Sequence, residues 1–414
     1  MMSQISTVFS PAAPINSRDL FAGRLDQVTQ VLGAIAQTGQ HVVLYGERGV
    51  GKTSLANTIH LFWEEARKGS DAIVTPRVNC DSTDNFGTVW MKVLEEIELY
   101  YDKQGWPFPT NGGVLEAAVK DIRNGDATPH AVRRFLDLMG KWFIVIIDEF
   151  DRLADDAGLE LFADTIKTLS DHAVYTTLML VGVADTVDGL IDDHASIDRA
   201  LVQVLMPRMS NEELREIVSR GLSRVGMTVK DNALYYIARL SQGLPHHAHL
   251  LGLHAGLAAL RDKRIEVQRD DVHVALRIAL DRAQASVRHA YLQATASPRE
   301  TLYPQILLAC AITPVDDAGC FATADVRGPL SSIMGKKVEI STFSRQLHEL
   351  CADSKGKVLQ KLGVERKRRY RFADPLVKSH VVLRGVDDGM LDEQSVGVVF
   401  GKDGSRPTRL PGIE

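Results

Sequence analysis

At 414 residues the chain is too long for one ordinary domain, and two or three are expected; 45% hydrophobic and 24% charged residues fit a soluble globular protein. A net charge of −5 excludes attraction of the whole chain to nucleic acid or anionic lipid, so any such attraction has to come from a local patch. Four cysteines (Cys80, Cys310, Cys320 and Cys351) lie far apart with no CxxC pair, which fits reduced thiols better than a disulfide framework or a zinc site.

The first residues, MMSQISTVFSPAAP, lack a basic stretch followed by an apolar core, and no apolar run in the chain approaches about 18 residues. The expectation is a cytoplasmic protein with no membrane partner, opening on an N-terminal arm over residues 1–15. An amphipathic helix is predicted from Leu25 to Ile35. His41-Val-Val-Leu-Tyr45 then reads as a buried strand, and a helix begins at Ser54 and runs to Trp63. Between them lies Gly46-Glu47-Arg48-Gly49-Val50-Gly51-Lys52-Thr53, a full GxxxxGK[ST] match. Glycines let the backbone curl so that its N–H groups and the helix N-terminus face phosphates. Lys52 supplies a point charge to the β/γ-phosphates, and the Thr53 hydroxyl completes a Mg²⁺ shell. The segment Gly46 to Ser54 is therefore predicted to bind ATP with Mg²⁺.

Residues 104–140 read as an insertion, polar and glycine-bearing at first and helical afterwards. Trp142-Phe-Ile-Val-Ile-Ile147 is a continuous apolar run, as a central parallel strand requires, and it ends in Asp148-Glu149-Phe150-Asp151. Charges at the C-terminal edge of such a strand lie where open α/β sheets bind ligands. Asp148 is the natural Mg²⁺ partner, and Glu149 is placed to activate an attacking water. Asp151 reads as the cap of a following helix and stays outside the site. Thr177-Leu-Met-Leu-Val-Gly-Val183 is the next core strand, and a helix is expected to begin at Ala195-Ser-Ile-Asp-Arg199. From Asn211 to about Ala285 the pattern is helical, with no strand alternation.

A new domain is expected near Ser297-Pro298. Leu302–Ala311 is its first helix, followed by a loop and a short helix. Ser341–Cys351 follows as an amphipathic helix with Phe343, Leu347 and Leu350 inward and Arg345 and His348 outward. Val358–Leu362 and Arg366–Phe372 then form a hairpin, and a loose tail follows Arg384. That is a winged helix-turn-helix order. Between Lys355 and Arg371 stand eight basic residues, Lys355, Lys357, Lys361, Arg366, Lys367, Arg368, Arg369 and Arg371, against Glu365 alone. A basic wing suits a phosphate backbone while the preceding helix approaches the major groove. Double-stranded DNA is the predicted partner, read by Arg345, Lys361, Arg366, Lys367, Arg368, Arg369 and Arg371; a solvated hairpin or a surface for an acidic protein partner is the alternative.

With these residues in place, the chain resembles the AAA+ superfamily, in particular the origin-recognition initiators and their STAND-like relatives, over roughly residues 15–390. Phe21-Ala-Gly-Arg24 resembles the box that opens such domains, which implies adenine contacts from Phe21 and Arg24. Ile147-Asp-Glu-Phe-Asp-Arg-Leu153 is close to the clade's acidic motif. The resemblance implies an α/β P-loop core with a parallel sheet over residues 16–208, a small helical lid over 209–290, a winged helix over 297–386 and a tail over 387–414. It places sensor 1 at Asp185, with Thr186 as second choice, and sensor 2 at His246 beside His247. The usual residues there are Asn and Arg, so slow hydrolysis is expected. Arg199, with Arg208 behind it, is the implied arginine finger, acting in cis or on a neighbouring copy in a homo-oligomer. Lys52, Glu149 and Arg199 thus form the expected catalytic set. The function implied is a nucleotide-controlled DNA-binding ATPase, initiator-like or a regulator of mobile DNA. The alternative is a STAND-like signalling or defence switch whose winged helix meets a protein.

Overall fold

A computed structural model describes residues 2–11, 14, 23–66, 73–109, 113–153, 156–184, 197–297, 301–315, 319–362 and 368–391. These residues form two compact units, one within Pro14–Pro207 and the other within Met1–Ala13 and Arg208–Glu414. The first helix, α1 (Met2–Val8), belongs to the second unit.

The first unit alternates helices and strands: α2 (Leu25–Ile35), β1 (His41–Gly46), α3 (Lys52–Ala66), β2 (Arg77–Asn79), α4 (Phe86–Lys103), α5 (Val114–Arg123), α6 (Pro129–Leu138), β3 (Phe143–Asp148), α7 (Asp156–Asp171), β4 (Thr176–Val183) and β5 (Leu201–Leu205). The five strands form one parallel sheet in the order β2-β3-β4-β1-β5. Residues of β3 are buried along its whole length, which explains its unbroken apolar run. His41 enters the same core: its Nδ1 accepts the Leu178 N–H at 2.9 Å, and burial pushes its pKa down to about 3.

Helices α5 and α6 fill the stretch expected as an insertion. Their Val119, Ile122, Val132 and Phe135 join the apolar cluster around Trp90 and Phe162 (so the segment is core). Thr128 caps α6 through a bond from the Ala131 N–H, with Pro129 following. The helix expected at Ala195–Arg199 is not what the described part forms. Asp198–Ala200 is a single 3₁₀ turn leading into β5, whose residues pair in parallel with β1. Strands β2 and β5 had no sequence signal because three to five residues give too few alternations to read.

The second unit holds α8 (Asn211–Arg224), β6 (Thr228–Val229), α9 (Asp231–Ser241), α10 (Pro245–Arg261), β7 (Glu266–Val267), α11 (Arg269–Asp281) and α12 (Ala285–Thr295). The helical reading here is corrected only by the two-residue parallel pair β6·β7. Ser210 caps α8 with a reciprocal Glu213 bond, one residue before the expected start. Helix α1 lies in a seat formed by α8 and α10. Phe9, following α1, and Ile5 are almost fully buried. Three glycines make that seat: a Cβ at Gly221 would stand 2.4 Å from Phe9, one at Gly252 2.9 Å from Phe9, and one at Gly256 2.2 Å from Ile5.

The unit continues with α13 (Tyr303–Ile312), β8 (Phe321–Ala322), α14 (Thr323–Met334), α15 (Ile340–Glu349), β9 (Leu359–Leu362), β10 (Arg369–Phe372) and α16 (Pro375–Asp387). Three helices and a three-stranded antiparallel sheet, β8-β10-β9, follow the order expected of a winged helix-turn-helix. Two details differ from expectation: α14 is a full 12-residue helix, and the chain before the tail forms α16, capped by Asp374. Among the described residues no helix is long and apolar enough to cross a membrane.

Candidate nucleotide site and basic wing

The phosphate loop leaves β1 between β4 and β5, at the C-terminal edge of the sheet, and runs into α3. Gly46, Gly49 and Gly51 take φ of 141°, 85° and 99°, which side chains disfavour. At Gly46 the cause is also steric, since a Cβ would stand 2.5 Å from the Met206 carbonyl oxygen. Lys52 is 7% exposed and donates from Nζ to the carbonyls of Gly46 (2.9 Å) and Glu47 (2.8 Å). Burial pushes its pKa down to about 8, opposed by the carboxylates of Asp151, Asp148 and Glu47. The ammonium is therefore still largely charged at neutral pH. Thr53 and Ser54 are half-buried in the first turn of α3, while Arg48 and Gly49 are exposed and Val50 is buried.

Arg24 precedes α2 with a left-handed φ of 62°. Its guanidinium is buried and donates to the carbonyls of Val50, at 3.0 Å, and Pro207. Arg24 thus ties the phosphate loop to the chain after β5, a supporting bond that the sequence did not announce. Phe21, Asp185, Thr186, Arg366 and Lys367 lie outside the described residues.

Asp148 ends β3 with 4% exposure. Its Oδ2 accepts from Arg77 Nη2 at 3.0 Å, and its Oδ1 accepts the Glu149 N–H at 2.9 Å. Arg77, on β2, also donates to Asn57 of α3, so one guanidinium links the phosphate-loop helix to the acidic strand end. No motif pointed to Arg77, since its partners lie 20 and 71 residues away. Glu149 sits at a left-handed φ of 55° and pairs with Arg152 at 2.7 Å, both about half exposed. Asp151 was read as a helix cap. Instead its Oδ1 accepts the N–H of Val183, at the end of β4, at 2.7 Å.

The donor set suits its ligands. Oxygens of Thr53 and Asp148 are the hard donors that Mg²⁺ takes, and the glycine curl with a charged lysine suits phosphate. Bound there, Mg²⁺ would supply charge neutralisation to the β/γ-phosphates.

Arg199 lies in the 3₁₀ turn before β5, its side chain 83% exposed and paired with Asp171 of α7 at 3.2 Å. Arg208 donates to the Gln242 carbonyl at 2.9 Å. His246 opens α10 next to His247, and burial pushes its pKa down to about 4.

On the wing, strand alternation sorts the basic residues. Tyr370 and Phe372 turn inward, while Arg369 is exposed and Arg371 half-buried on the opposite face. Arg371 Nε donates to Gln360 on β9 at 2.9 Å, and Arg369 to the Cys320 carbonyl at 3.3 Å. Lys361 Nζ meets His348 Nε2 at 2.7 Å, which joins β9 to α15. Phe343, Leu347 and Leu350 are fully buried, whereas Arg345 is exposed and pairs with Glu349 at 2.9 Å. Arg345, His348, Lys361 and Arg369 are all exposed, but Lys361 pairs with Tyr370, on the face of the sheet opposite to Arg369; Arg368 is half-buried.

A parallel sheet with a glycine-rich loop on β1 and an acidic end on β3, with β4 between them, is the arrangement of a P-loop nucleotide-binding fold. Residues 20–181 match the AAA ATPase domain family. It is similar to the ORC1-type DNA replication protein of Thermoplasma volcanium, 24% identical over 280 residues covering 64% of this chain. It is also similar to ORC1-type DNA replication protein 2 of Thermoplasma acidophilum, 23% identical over half of this chain. The matches span 62% and 48% of those relatives' lengths. Among solved structures, the Aeropyrum pernix ORC2 protein, in ADPNP and ADP complexes, shares the fold with a TM-score of 0.51, 16% identity and coverage of 92% and 97% of the two chains. A Walker-type ATPase of Pyrococcus abyssi does so at 0.53 and 18%, covering 90% and 99%.

Proposed function

We propose that this protein binds and slowly hydrolyses ATP with Mg²⁺ and uses the nucleotide to control binding to double-stranded DNA. The observation that carries the nucleotide half is the buried, charged Lys52 in its glycine cradle beside the Asp148–Glu149 turn. Glu149 would orient the attacking water, and Arg199 would reach the nucleotide of a neighbouring copy. A neutral His246 at sensor 2 would contribute little charge to phosphate, in keeping with slow turnover. The nucleotide would bias a two-state arrangement. The exposed basic residues of α15 and the wing support the DNA half, as do relatives named for DNA replication. Regulation of mobile DNA fits the same chemistry.

Anisotropy of labelled duplex across a salt series, with and without ATP-Mg²⁺, tests this reading. Changing Arg366, Lys367, Arg368 and Arg369 to Ala should weaken binding and flatten the salt slope by up to about 4, near one per lost phosphate contact. Binding that ignores the wing in every nucleotide condition would point instead to a protein partner.

A further inference from the structure

Strand β4 outlasts its neighbour. Its pairing with β3 stops at Ile147↔Leu180, and Val181, Gly182 and Val183 continue beyond it. On the opposite edge Val183 pairs with Gly46, the first glycine of the phosphate loop. On the β3 side, where the neighbouring strand has turned away, the Asp151 carboxylate accepts the Val183 N–H at 2.7 Å. Gly46 in turn offers its carbonyl to Lys52 Nζ at 2.9 Å. A continuous path therefore runs from the acidic turn through the end of β4 to the phosphate-binding lysine. The turn's other two carboxylates are engaged elsewhere, Asp148 by Arg77 and Glu149 by Arg152.

We propose that Asp151 is a positioning residue, a brace that holds the end of β4 against the acidic turn and so sets Gly46 and Lys52 relative to Glu149. It touches no substrate. Val183 is 45% exposed, so without the brace its N–H would turn to water and the strand end would open locally. The catalytic part of this role rests on the ATPase reading above.

The test uses full-length Asp151→Ala and Asp151→Asn. Asn keeps an oxygen acceptor and removes the charge, whereas Ala removes both. Hydrogen exchange at the Val183 amide should speed up roughly tenfold in the Ala variant and stay near wild type in the Asn variant. In turnover assays the Ala variant should lose roughly tenfold in kcat with KM changed less than about threefold, and Asn should restore it. An unchanged Val183 amide in the Ala variant overturns the proposal. So does an Asn variant as impaired as Ala, because charge and not the hydrogen bond would then matter. Wild-type protein without ATP turnover overturns the ATPase reading instead, and the brace then stands or falls on the Val183 amide alone.

Discussion

Two side chains are proposed to carry the nucleotide chemistry, and their surroundings say what each loss should do. Lys52 is a buried ammonium with carbonyl partners of its own loop and three carboxylates in its field. Lys52→Ala should weaken ATP affinity about 100-fold by removing a charge-assisted contact in a partly desolvated site. Fluorescent-nucleotide titration checks this, and unchanged affinity would remove the loop from the site. Glu149 is half exposed at a strained backbone position, paired only with an exposed arginine. Such a surface pair is weak, so the carboxylate is available to water. Glu149→Gln should keep ATP bound and slow turnover about 100-fold, the scale of one general base. Equal turnover in the variant would assign the water to another group.

Among the elements, α1 is the clearest case of stability borrowed from packing. Seven residues are too few for a stable isolated helix, so α1 exists because Ile5 and Phe9 enter the glycine-lined seat on α8 and α10. Phe9 also meets His249 edge-on, with ring centroids 5.8 Å apart. Phe9→Ala should cost about 3 kcal/mol where the seat stays intact. Gly252→Val should unseat the same ring, because its Cβ would lie 2.9 Å from Phe9 Cε1. Thermal unfolding of both variants should show similar losses. A Gly252→Val protein as stable as wild type would mean that α1 contributes nothing there.

At the scale of the whole molecule, buried histidines make both units sensitive to acid. Burial lowers the pKa of His41 to about 3 in the first unit, and of His246, His249 and His380 to about 4 in the second; His247 is also lowered well below its ordinary value. In the unfolded chain these groups take up protons near pH 6.5, while in the folded chain they stay neutral until near pH 4 or below. Between those values the unfolded state binds more protons, so folding stability falls as pH falls. Melting temperature should hold steady above pH 7 and drop progressively from about pH 6.5 towards pH 4. His41→Asn should shrink that slope for the first unit. A flat profile across this window would mean that the imidazoles titrate normally.

The phosphate loop was readable because its information is local: glycines, a lysine and a hydroxyl at fixed spacing between a strand and a helix. The same holds for β3, whose unbroken apolar run ends in acids, and for α15, whose inward and outward faces follow a 3.6-residue period. The sequence by itself therefore pointed to a phosphate-binding class of site and to the carboxylates that end β3. Contacts between distant residues decided the rest. Arg77 reaches Asp148 across 71 residues, and Asp151 reaches Val183 across 32, so neither pair leaves a periodic trace. Asp151 looked like a helix cap because an acid before a helix is a common local signal. Only the sheet register, with β4 running three residues past its last pair with β3, brings a backbone donor within its reach. The glycines of α8 and α10 are poor helix formers by themselves, and tertiary packing accounts for them: Ile5 and Phe9 lie against them, where only the absence of a Cβ leaves room.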